Sequence, residues 1–129
     1  MSDKFEMSGD FRGAIINIKS TLSNVQQSIG GIQTTDEGAR EELMALIGQL
    51  SEALQSAPPE ATEQAEAVAQ SAEVFVQQAT VETPNKTMLQ ITGDGLKQAA
   101  QNIAAVLPSV LGIAAQIVMA VGKMTTPAG

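Results

Sequence analysis

The sequence predicts a mainly α-helical fold: an antiparallel bundle of about three helices preceded by an N-terminal extended arm. Three observations carry that expectation. Apolar residues recur at steps of three and four along most of the chain, the signature of amphipathic helices. Pro58-Pro59 and Thr83-Pro84-Asn85 divide that pattern into pieces of helical length. Only the segment from Phe5 to Ile18 has a pattern compatible with a strand.

The helix expected over 36–56 starts at a capping box. Thr34 can accept from the amide of Glu37 while that carboxylate reaches back, and acids cluster where the helix dipole favours them. Leu43, Ile47, Leu50 and Leu54 then form an apolar stripe, with Glu41, Glu42 and Glu52 on the wet face. A second helix is expected over 59–81, because proline is tolerated in a first turn and Glu60 and Glu63 follow it. Its seam is Ala61, Ala65, Val68, Ala72, Phe75, Val76 and Ala79. Alanine buries little area, so Val68, Phe75 and Val76 should carry most of the burial energy.

Residues 85–95 read as a short helical turn or extended link. Gly93-Asp94-Gly95 interrupts the pattern, and Asp94 is the expected cap of a third helix over 96–123. The seam of that helix runs through Leu96, Ala99, Ile103, Leu107, Val110, Ala114, Ile117 and Val121. Pro108 should bend the helix or mark the join of two.

At the N-terminus two periodicities overlap. Phe5, Met7, Phe11 and Ile15 share one parity and Ala14, Ile16 and Ile18 the other, so a strand here would be apolar on both faces near its end. Ile15, Ile18, Leu22, Val25, Ile29 and Ile32 also step at helical spacing. The expected resolution is an extended piece over 5–18, then a short helix over about 20–29 ended by Gly30-Gly31. Nothing else in the chain makes a convincing strand, so a second copy of the same segment is the natural partner. A flexible arm that packs on the bundle is the blander reading. The expected organisation is therefore an arm over 1–33, a bundle over 34–125 and a disordered tail over 126–129.

Composition narrows the function. The 129 residues include no cysteine, histidine, tryptophan or tyrosine, and 7 Lys and Arg stand against 14 Asp and Glu for a net charge of −7. Disulfides, thiolate metal sites, thiol nucleophiles and imidazole bases are thereby excluded. Ten of the acids lie in 36–82 against Arg40 alone, which gives the middle of the chain a solvated outer face. Scattered basic residues and three phenylalanines offer nothing to a phosphate backbone or to stacked bases, so no nucleic-acid partner is expected.

No catalytic arrangement emerges either. Glu60, Glu63 and Glu66 drift round one helix, Glu41-Glu42 are adjacent, and Asp94 stands alone in its third of the chain; these read as wet faces, not acid/base pairs or calcium ligands. Neither a metal, a cofactor nor enzymatic activity is expected. The glycine pair at 93 and 95 resembles a phosphate-cradling loop only superficially, since no strand precedes it.

From Gln98 to Gly122 no residue is charged, and as one helix that run would reach about 37 Å, enough for a bilayer core. A membrane-associated effector or anchor is thus the alternative reading. Against it stand Gln98, Gln101, Asn102, Pro108, Ser109 and Gln116 within the run and the absence of an aromatic belt. The first residues lack an apolar signal region, so a cytoplasmic location is the expectation.

Phe5 to Ile29, FEMSGDFRGAIINIKSTLSNVQQSI, and Thr83 to Val118, TPNKTMLQITGDGLKQAAQNIAAVLPSVLGIAAQIV, resemble a group of largely uncharacterised bacterial proteins frequent in cyanobacteria. In that group similar text stands alone or beside pentapeptide-repeat or signalling domains. The resemblance implies an accessory or assembly module and transfers no catalytic residues. The functional expectation is a structural or adaptor protein that forms homo-oligomers, with room for a further protein partner, through Phe11, Ile15, Ile16, Ile18, Leu22, Val25 and Ile29.

Overall fold

The structure, a computed structural model, describes residues 2–31, 37–80 and 85–125, with side chains at 13–31, 37–80 and 85–123. Among the described residues it contains five α-helices and no strand: α1 (Ser2–Gly30), α2 (Glu37–Gln55), α3 (Thr62–Thr80), α4 (Lys86–Ile103) and α5 (Pro108–Thr125). A single 3-10 turn, Pro59–Ala61, leads into α3. The chain is mainly helical, as the spacing predicts. The three-helix bundle and the extended arm are not what forms.

The first correction concerns the N-terminus. Residues 5–18, expected to be extended, are part of the 29-residue helix α1. The helical spacing prevails because it puts Ile18, Leu22, Val25 and Ile29 on one stripe, all buried against the chain's own helices. A strand would have placed Ile16 and Ile18 on the same face and required a partner for its ladder; a helix satisfies its own backbone. Packing of that stripe outweighs the roughly 1 kcal/mol each that Gly9 and Gly13 cost inside a helix. Termination falls where expected: the Gly31 amide donates to the carbonyls of Gln27 and Ser28 at 3.3 and 3.2 Å. The Arg40 guanidinium also reaches the Gly30 carbonyl, at 3.4 Å, while pairing with Glu37 at 3.1 Å.

The second correction concerns the C-terminal half. The link over 85–95 and the single helix over 96–123 are replaced by two helices of 18 residues each. Asn85, not Asp94, caps α4: its backbone is extended (φ −91°, ψ 118°) and its side-chain oxygen accepts from the Met88 amide at 3.1 Å. Gly93 and Gly95 are interior residues of this helix. Its end is set by Pro108, which pushes the preceding residue out of helical geometry and takes the first position of α5. The Val106 and Leu107 amides both donate to the Ile103 carbonyl, at 3.1 and 2.9 Å, closing α4 before the break.

The helices over 36–56 and 59–81 are found with the expected seams, as α2 and as the 3-10 turn with α3. Thr34 to Asp36 of the capping box, Ile32 of the N-terminal seam, Thr83-Pro84 and the tail over 126–129 lie outside the described residues.

α1 packs against both α2 and α3, α4 against α3, and α5 against α2; α4 and α5 touch each other, while the consecutive α2 and α3 touch little. A single apolar core threads all five helices, from Ile18 and Leu22 through Leu43, Ile47, Leu50 and Leu54 to Val68, Phe75, Leu96, Ile103 and Ile117. Phe75 has the room it needs because its neighbour on α4 is Gly93: a Cβ there would lie 3.2 Å from the ring. Among the described residues no polar or charged side chain is buried.

α1 and α2 run antiparallel. The Gln26 amide donates to the Met44 carbonyl at 3.0 Å, and the same amide nitrogen would lie 3.1 Å from a Cβ at Gly48, so residue 26 is level with the stretch 44–48. Each further step along α2 is a step back along α1. The last residue of α2, Gln55, therefore comes level with about residue 17 of α1. The N-terminal half of α1, about 22 Å of helix, runs past the end of α2. Likewise Lys123, near the end of α5, meets Glu42, near the start of α2, at 3.5 Å, so these helices are antiparallel too.

Candidate functional site

The seven residues expected to mediate self-association all belong to α1, and the helix sorts them. Ile18 (1 % exposed), Leu22, Val25 and Ile29 point into the core of the same chain. Ile15 is partly buried against it. Ile16, two positions from Ile18 and about 200° away around the helix, is 62 % exposed. The side chain of Phe11 lies outside the described residues. In the sequence, Ala14 or Ile15, Phe11 and Met7 precede Ile18 at steps of three and four.

On the exposed face opposite the core stripe, Gly13, Ile16 and Ser20 follow one another at helical spacing beside the exposed Lys19, and a Cβ at Gly13 would meet nothing within 4 Å. The acidic faces are elsewhere. Glu41, Glu42 and Glu52 lie exposed on α2 and Glu63 on α3. Among the described residues no three Asp, Glu, His or Cys side chains gather as metal ligands would. The Lys123–Glu42 pair joins two half-exposed side chains, a geometry in which water screens the attraction.

A second feature escaped the sequence reading. Between α3 and α4 lies an open groove of about 380 Å³, lined by Ala67, Gln70, Ser71, Val74, Ile91, Thr92 and Gly95. None of these is charged. Val74 and Ile91 are 44 % and 57 % exposed, and Met88, one turn before Ile91, also lies partly open. The signal was present as Met88, Ile91 and Gly95 at steps of three and four downstream of Asn85, but reading Gly93-Asp94-Gly95 as a break hid it. At the small end of ligand-pocket volumes and open along its length, the groove suits an apolar side chain or helix edge better than an enclosed small molecule.

The charge-free stretch 98–122 does not form one helix. Residues 104–107 divide it between α4 and α5, and among the described residues no helix is long and apolar enough to cross a membrane. The single helix expected over this stretch is thereby corrected, and within it Ala100, Ile103, Val110, Ala114 and Ile117 are buried in the chain's own core.

No family model, curated protein or solved structure matches the chain.

Proposed function

We propose that this chain is a non-enzymatic structural or adaptor protein that self-associates through the N-terminal part of α1. One observation carries the reading: α1 is about one and a half times as long as each of the other helices and runs some fifteen residues past the end of α2, with its apolar spacing continuing over that length. Ile18, Leu22, Val25 and Ile29 serve the chain's own core; Phe11, Ile15 and Ile16 serve association. The accessory or assembly role implied by the bacterial resemblance belongs to the same proposal.

The test separates the two halves of α1. Phe11→Asp should lower the solution mass measured by light scattering while leaving the helical circular dichroism signal and its melting temperature in place. Ile18→Ala should lower the melting temperature instead. A full-length chain that is monomeric at every concentration, or a Phe11→Asp variant whose mass is unchanged, counts against the reading.

A further inference from the structure

We draw no further inference here: the strongest candidate, the open groove between α3 and α4 at Val74 and Ile91, is an apolar surface flanked by Glu63 and Asp94, and nothing in the structure shows what covers it.

Discussion

Replacing Gly93 by alanine probes the α3–α4 packing more sharply than any large truncation. In an exposed helix interior the change from glycine to alanine gains about 1 kcal/mol, because the unfolded chain loses freedom and the helix gains a good former. At position 93 the new Cβ would sit 3.2 Å from Phe75 Cε1 and 3.7 Å from its Cδ1 and Cζ. The ring is itself buried, and overpacking of this kind costs about 1–3 kcal/mol. The net expectation is a loss of about 1 kcal/mol. At Gly95, two residues along the same helix, a Cβ meets nothing within 4 Å, so the full gain of about 1 kcal/mol should appear. The two variants should thus differ by about 2 kcal/mol in opposite directions.

The assay is urea unfolding followed by far-ultraviolet circular dichroism, since the chain has no tryptophan or tyrosine to report by fluorescence. One fixed low protein concentration keeps any association constant across the set. A Phe75→Leu background completes a cycle: with the ring gone, Gly93→Ala should turn stabilising, and the coupling between the two sites should be about 1–2 kcal/mol. If Gly93→Ala stabilises the unaltered protein as much as Gly95→Ala does, α4 is not seated against Phe75 as described.

Three further outcomes follow from the same geometry. Ile18→Ala should cost about 2–5 kcal/mol and Ile16→Ala less than about 0.5 kcal/mol in the same unfolding assay; equal effects would contradict a helix at these positions. Asn85→Ala should cost about 1 kcal/mol by removing the acceptor for the Met88 amide, whereas Asn85→Asp should cost little. Lys123→Ala should change stability by less than about 0.5 kcal/mol, with no added sensitivity to salt, because its pair with Glu42 is half open to water.

Much of the helical core was legible because the physics that selects it is local. The stripe Leu43, Ile47, Leu50 and Leu54 admits no other regular structure, and Pro58-Pro59 can only end one helix and begin another. The failures occurred where local signals conflict and packing decides. Over residues 5–18 the isoleucines favour a strand by propensity and the glycines weaken a helix, but the stripe from Ile18 to Ile29 is worth more once α2 and α3 cover it. Gly93 reads as a helix breaker until Phe75 is placed beside it; its lack of a side chain is a packing requirement set by a residue eighteen positions away. Pro108 signals a discontinuity from the sequence alone, and the two alternatives it allows, a bend or a join, are distinguished by how α4 and α5 distribute themselves over α3 and α2.

The site was less legible than the fold. A stripe of isoleucines and leucines identifies a surface that must be covered without naming what covers it. Ile18, Leu22, Val25 and Ile29 turned out to face the chain's own helices, and the groove at Val74 and Ile91 arises only when two helices, one of them unrecognised, come together.

Sedimentation equilibrium of the full-length chain over a wide dilution series measures most directly whether the surplus length of α1 joins copies together. Association predicts a mass that rises with concentration above the 13.4 kDa of one chain and a dissociation that leaves the helices folded. A mass of one chain throughout, with the protein fully helical, would contradict it.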